Sequence, residues 1–466
     1  MDRMSAQDAT FLHIESDRSP MHVGGVSIFE GPAPQQGRFA DHVAAKLDQV
    51  PRYRQVVRTV ALGLGSPVWV DDTHFNLGYH LRRTALPAPG SDAQLQALVG
   101  RVMSQNLDRD KPLWEMWVVE GLDGGRWALL SKVHHSMVDG VAATDLMAVL
   151  LDVERDPGEP DAPTQWAPGP YPSEAQLLVE ALGGGTRVPI ELARGGLHAL
   201  RDPRTIAADV EVTIRGLIAS AGLARRPPDS SLNGPLGPHR RWGWARGTLA
   251  DVQTVRHALG GTVNDLVLAA ISGGFRELLL ARGEPVDRTL RSLVPVSVRR
   301  PGERGTYNNR VSAMFAELPI AIADPVARLE SVTAQMAGLK DSKQAVAGEV
   351  LTSLGGFAPP MLLMLGARLS SRLPQRNINT GTTNVPGPQF PLYAGGRRML
   401  ESFPYIPLFA NVRLAVAIFS YDGKLSFGVS GDYDTTADLQ VLCDGIERAL
   451  AELVVAAAVA PATARR

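Results

Sequence analysis

The chain has 466 residues, about three times the size of a common single domain, so length alone points to two domains. It carries 47 Lys plus Arg against 48 Asp plus Glu, a net charge of −1, with 44% hydrophobic residues. That balance suits large cores and argues against a disordered chain, a nucleic-acid binder or a protein held on acidic lipid by charge alone. The lone cysteine, Cys443, excludes intramolecular disulfides, thiolate zinc clusters and iron–sulfur ligation, and fits a reducing compartment. It sits in LQVLCDGIERAL, an amphipathic helix pattern, where a packing thiol is expected.

Residues 1–20 have charges throughout and no apolar core, so they do not read as a signal peptide. Residues 21–31 (MHVGGVSIFEG), 115–122 and 126–135 have strand character, while 37–50 and 92–107 carry apolar residues at helix spacing. Residues 156–173 and 227–238 are dense in Pro and Gly and read as linkers, with a helix-patterned stretch, 174–225, between them. Beyond these, 289–298, 310–319 and 412–433 read as strands, with a hairpin at Tyr421-Asp422-Gly423-Lys424 through its Asp-Gly turn. Residues 263–283 and the stretch from Leu439 onward read as helices. The expected fold is α/β (α+β): an N-terminal half over 1–155, a connector over 156–238, and a C-terminal half over 239–466.

Two apolar stretches bear on membranes. Residues 351–367 (LTSLGGFAPPMLLMLGA) carry no charge but are broken by Gly355-Gly356 and Pro359-Pro360, and 453–464 is too short to span. Both are expected to be buried or interdomain helix. If any segment meets lipid, 351–367 is the one by composition.

The segment richest in chemistry is Ser131-Lys132-Val133-His134-His135-Ser136-Met137-Val138-Asp139-Gly140. An apolar strand runs into His-His, a short loop ends at Asp-Gly, and a helix pattern follows. Adjacent strand residues point to opposite faces, so His134 and His135 cannot both reach one substrate or metal unless the strand breaks there. One should face a site and the other pack behind it. This argues against a two-His metal pair, and with no HExxH and no third ligand at a useful spacing, no metal is expected. A neutral imidazole at a strand end is well suited to act as general base on a hydroxyl.

HHSMVDG matches the HHxxxDG motif of the acyl-CoA-dependent acyltransferase superfamily, which includes chloramphenicol acetyltransferase and the condensation domains of peptide synthetases. Other segments narrow the resemblance: QDATFLHIES with PMHVGGVSIFEG, Pro112-Leu113-Trp114-Glu115, Ser231-Leu232-Asn233-Gly234-Pro235, VNDLVLA from Val263, VPVSVR from Val294, and Asn384-Val385-Pro386-Gly387-Pro388. In this order they resemble the bacterial wax ester synthase/diacylglycerol acyltransferase family, its actinobacterial triacylglycerol synthases above all.

That resemblance implies two chloramphenicol-acetyltransferase-like halves with an active-site tunnel at their interface, and acyl-CoA as co-substrate with no cofactor. It implies that His135 is the general base, that His134 orients the strand end, and that Asp139 is structural, pairing with an arginine. Gly140 would let backbone approach the site. Asn264 is a candidate donor to the developing oxyanion, against capping of the following helix by Asn264 or Asp265, which is the favoured role for these residue types. Trp114 and Trp117 read as core, Asn384 to Pro388 as a loop, and the doublets Arg240-Arg241, Arg299-Arg300 and Arg397-Arg398 as solvated pairs rather than contacts for CoA phosphates. The implied activity moves a long-chain acyl group to diacylglycerol, or secondly to a fatty alcohol, in the cytoplasm or at the periphery of a membrane or lipid droplet.

Three rivals remain. His134 to Asp139 also fits H-x4-D, which would make His134 the base. A condensation-type enzyme would use carrier-bound acyl groups. A lipid-binding protein without catalysis would keep the fold alone. A loose GxSxG echo, Ala270 to Gly274, lies inside a helix pattern rather than on a strand-to-helix turn.

Overall fold

The mainly apolar run Trp127–His134, buried along nearly its whole length, makes the strand, β7, around which the first half is organised. The computed structural model describes residues 2–60, 65–137, 150–156, 158, 166–185, 230–297, 311–341 and 378–460. Before β7 come β1 (Asp2–Arg3), β2 (His22–Phe29), β3 (Gln55–Arg58), β4 (Val68–Asp71), β5 (Leu81–Ala85) and β6 (Trp114–Glu120). After it come β8 (Arg240–Thr248), β9 (Leu290–Ser297), β10 (Val311–Leu318), β11 (Thr380–Pro386), β12 (Tyr393–Ala394), β13 (Arg397–Tyr405), β14 (Leu414–Tyr421) and β15 (Lys424–Asp432). The described helices are α1 (Ala6–Ile14), α2 (Gln36–Lys46), α3 (Leu77–His80), α4 (Asp92–Met103), α5 (Glu174–Gly185), α6 (Leu249–Leu259), α7 (Val263–Ala281), α8 (Pro325–Asp341) and α9 (Leu439–Val459).

Among the described residues, two six-stranded mixed sheets carry the fold, in the orders β12-β13-β2-β7-β6-β5 and β10-β9-β11-β14-β15-β8, beside a small β1-β4-β3 sheet. The first sheet does not follow chain order. β13 pairs antiparallel with β2, Ser402 opposite Ser27 and Tyr405 opposite Gly24. A division at residue 239 thus sends β13 with the second half although its hydrogen-bond partner lies in the first. The sheets meet in two apolar clusters: in one, Ile28, Leu95 and Leu130 of the first half pack with Trp242, Trp244, Phe403 and Tyr405, and in the other, Phe29, Trp127 and Met399 pack with Phe419 and Tyr421.

The second sheet is covered by α7 and α9. They cross closely because both are small at the contact: a Cβ on Gly445 would lie 2.9 Å from the Gly274 Cα. Cys443 is buried in this layer, and burial pushes its thiol up, as a packing thiol requires. Ser272, in the GxSxG echo, is buried within α7 and donates to the Leu268 carbonyl (2.7 Å), so it forms no nucleophile elbow. The Asp-Gly hairpin forms as expected, with left-handed φ at Asp422 (45°) and Gly423 (78°) between β14 and β15. In α8, Gly338 has nothing within 4 Å of an added Cβ. Gly338→Ala is therefore expected to stabilise the protein by about 0.5–1 kcal/mol in urea unfolding, by removing unfolded-state freedom.

Two readings need correction. Asn384 to Pro386 do not form a loop; they end β11, paired in parallel with β14, and the turn begins at Gly387. Arg240 is not a solvated surface charge: it is 2% exposed, and its guanidinium donates to the carbonyls of Gly237 (2.8 Å), His239 (2.9 Å) and Arg18. Arg398 forms an ion pair with Asp422 at 2.7 Å, and Arg299-Arg300 lie outside the described residues. Trp114 is core, its indole donating to the Tyr53 carbonyl (2.8 Å). Among the described residues no single helix is long and apolar enough to cross a membrane. Residues 351–367 lie outside them, as does all of 186–229 in the connector.

Candidate active site

The strand does break between the two histidines. β7 ends at His134, and a single 3-10 turn, His135–Met137, follows. The cause is local: the Ser136 backbone N–H (3.1 Å) bonds back onto His134 Nδ1, with Ser136 Oγ at 2.7 Å, which takes Ser136 out of the ladder. His134 is 1% exposed, sits opposite His22 in the β2–β7 register, and has its Nε2 3.4 Å from Glu15 Oε1. Because Nδ1 accepts the Ser136 N–H, the neutral ring carries its proton on Nε2, facing the carboxylate.

Glu15 follows the last turn of α1. Its Oε1 accepts the Met21 N–H (3.1 Å), and its Oε2 accepts Arg109 Nε (3.1 Å) and Nη2 (2.5 Å). Burial works against ionisation of Glu15, but His134, then Arg109 and His22, outweigh it and hold the carboxyl well below its usual range. Burial and the Lys132 charge keep His22 well below the ordinary imidazole range, and its Nε2 contacts the Gln105 carbonyl at 3.0 Å. Lys132, fully buried, donates from Nζ to the carbonyls of Val102 (3.1 Å) and Gln105 (2.6 Å) at the end of α4.

Burial lowers the Lys132 ammonium to about 8. Between that value and the ordinary lysine pKa, the unfolded chain binds the proton and the folded one does not, so this group makes stability rise with pH from about 8 to about 10.5. The stability difference between wild type and Lys132→Met should therefore shift in favour of wild type across that window, by up to about 3 kcal/mol. Denaturant unfolding at pH 7.5 and 10 measures it.

His135 is placed differently. Its N–H donates to the Met21 carbonyl (2.8 Å), its side chain is half-buried, and its ring lies flat on Phe11, centroids 3.9 Å apart and planes 12° apart. One imidazole of the pair thus packs behind the strand end and the other stands at its rim. Such a rim imidazole can take a proton from a bound hydroxyl.

Asp139 and Gly140 lie outside the described residues. Asn264 belongs to the other half, at the second position of α7, and the expectation that Asn264 or Asp265 is the cap is corrected. Thr262 is the cap: its side chain accepts the Asp265 N–H (3.3 Å), while Asp265 Oδ2 accepts the Thr262 N–H (2.8 Å). The cap lies two residues before Asn264 because Thr262 is where the backbone is still extended. Asn264 is half-exposed beside the open first turn. Sequence reasoning missed Phe11, Glu15, Arg109, His22 and Lys132. The one available signal was the four-residue spacing of Phe11 and Glu15, which puts both on one helix face.

Residues 4–267 match the family model described as the wax ester synthase/diacylglycerol acyltransferase catalytic domain, and residues 307–454 match the WS/DGAT C-terminal domain. Over 458 residues the chain is 38% identical to a Mycobacterium tuberculosis protein named probable diacylglycerol O-acyltransferase tgs1, covering 97% of this chain and 96% of that one. A second M. tuberculosis protein, named as tgs2 of the same kind, is 34% identical over 462 residues, 97% of this chain and 99% of the other. Among solved structures, the wax ester synthase/diacylglycerol acyltransferase of Marinobacter aquaeolei VT8 superposes with a TM-score of 0.69 at 27% identity, over 98% of this chain and 100% of that one. The trichothecene 15-O-acetyltransferase of Fusarium sporotrichioides (TM-score 0.63, 14% identity, 97% and 94% covered) shares the fold alone.

Proposed function

The chain belongs to the wax ester synthase/diacylglycerol acyltransferase family, and we propose that it moves a long-chain acyl group from acyl-CoA to diacylglycerol with His135 as general base. The acceptor hydroxyl gives its proton to the His135 imidazole as its oxygen bonds to the thioester carbonyl carbon. The tetrahedral intermediate then collapses, the C–S bond breaks, and the imidazolium returns the proton to the CoA thiolate. No protein nucleophile and no cofactor take part; acyl-CoA is the co-substrate.

The division of labour within the histidine pair carries this reading. His134 has Nδ1 taken by Ser136 and Nε2 turned to a buried carboxylate, which disfavours it as the base of an H-x4-D enzyme. Asn264 is not occupied in capping, and at the first turn of α7 the helix dipole favours negative charge, which supports it as donor to the oxyanion. For Asp139 and Gly140, which lie outside the described residues, we propose only the roles the family resemblance implies: a structural aspartate paired with an arginine, and a glycine that admits close backbone approach. Diacylglycerol is the first acceptor because the mycobacterial relatives are named for it; a fatty alcohol, giving wax ester, is the second because the Marinobacter protein is named for both. We place the enzyme in the cytoplasm, at the periphery of a membrane or lipid droplet, with apolar contact through residues 351–367 holding it there because the net charge is −1. Labelled palmitoyl-CoA offered with diacylglycerol, monoacylglycerol and hexadecanol in parallel should give triacylglycerol as the main product. No product from any acceptor would overturn the assignment.

A further inference from the structure

Base-catalysed transfer, as described, assigns no work to the N-terminal helix. Yet α1 is built onto the catalytic turn. It starts at Ser5, whose Oγ accepts the Asp8 N–H (3.1 Å), and ends at Glu15, whose N–H donates to the Phe11 carbonyl (3.2 Å). Phe11 and Glu15, four residues apart, lie on one face of the helix. The Phe11 ring covers the His135 imidazole at 3.9 Å, almost parallel to it. The Glu15 carboxylate reaches under the same residue by two routes. It accepts the Met21 N–H, and the Met21 carbonyl accepts the His135 N–H. It also faces Nε2 of His134, the residue before His135, whose other nitrogen holds Ser136, the residue after it. Arg109 fixes the helix in turn, donating to the Leu12 carbonyl (3.0 Å) and to Glu15.

The geometry points to Phe11 as a positioning residue for His135, with Glu15 anchoring the backbone beneath the ring. This rests on His135 being the base. A base transfers a proton only while its lone pair stays aimed at the hydroxyl, and misplacement on the scale of 1 Å costs up to about 100-fold. A flat ring stacked on the imidazole fixes its plane; an aliphatic side chain of similar bulk fills the space without fixing the plane.

Phe11→Leu should lower kcat about 10- to 100-fold with palmitoyl-CoA and diacylglycerol. KM for both substrates should stay within about twofold, because the interaction lost is not one with substrate. Phe11→Tyr, which keeps the flat ring, should restore most of kcat. In a His135→Ala background, Phe11→Leu should remove none of the residual turnover. A wild-type kcat in Phe11→Leu, a loss carried in KM, an equal loss in Phe11→Tyr, or a full further loss on top of His135→Ala would each overturn the inference. If Phe11→Leu does not fold, Glu15→Gln decides: it keeps an acceptor for the Met21 N–H but loses the charge facing His134, and a wild-type kcat there also overturns it. Full activity in His135→Ala sinks the base assignment itself, whereas full activity in Phe11→Leu beside an inactive His135→Ala sinks only the role of Phe11.

Discussion

Replacing His135 by alanine is expected to lower kcat for transfer from palmitoyl-CoA to diacylglycerol about 10²- to 10⁴-fold, the range a positioned general base supplies. Thermal unfolding should stay near wild type, because the side chain is half-buried and stands at the end of β7 rather than inside a core. His134→Ala should behave in the opposite way. It leaves the Glu15 carboxylate facing an empty space and the Ser136 N–H without its acceptor, at a cost of about 1–3 kcal/mol in stability. Some turnover should survive in that variant where the protein is still folded. Loss of activity in His134→Ala alone, with His135→Ala active, would transfer the base role to His134.

The second large effect is structural. Gly428, in β15, faces Pro404 of β13, and a Cβ there would lie 1.7 Å from the Pro404 carbonyl oxygen. That oxygen also accepts from the Trp242 indole at 3.3 Å. Phe403, next in β13, stacks on Trp244 at 4.5 Å, and Arg246 bonds both Glu401 (2.9 Å) and Asp92 (2.9 Å). The seam between the sheets therefore closes at Gly428. Gly428→Val should destabilise the protein by about 3 kcal/mol or more in urea unfolding, since the atom in the way is backbone in a strand paired on its other side. An unchanged midpoint would show that the seam is looser than these distances imply.

Much of this architecture could be read from residue order, where the signal is local. Strand character was visible in β2, β6, β7 and the β14–β15 hairpin with its Asp-Gly turn, and the helix pattern of 263–283 gave α7. The break at His134 was legible as a condition, since two adjacent strand residues cannot share a face. What was not legible depends on contacts distant in the chain. RRMLESFPY lacks clean alternation and contains a proline, so β13 shows itself only through its pairing with β2, more than 360 residues away. Arg240 looks like a surface charge until the carbonyls that hold it are known. Phe11 and Glu15 were visible only as parts of a family-like stretch; their work depends on a turn over 100 residues downstream.

The placement of β13 has a consequence for synthesis. While the first half emerges from the ribosome, β2 can pair with β7 on one side only, and its other edge stays open until residues 397–405 appear. At roughly 5–20 residues per second, the stretch from the end of β7 to β13 takes about 15–55 s, with an unpaired β2 edge beside β7 all that time. The nascent first half is thus committed to remain incomplete, and vulnerable to pairing with other chains, until nearly nine-tenths of the polypeptide has been made.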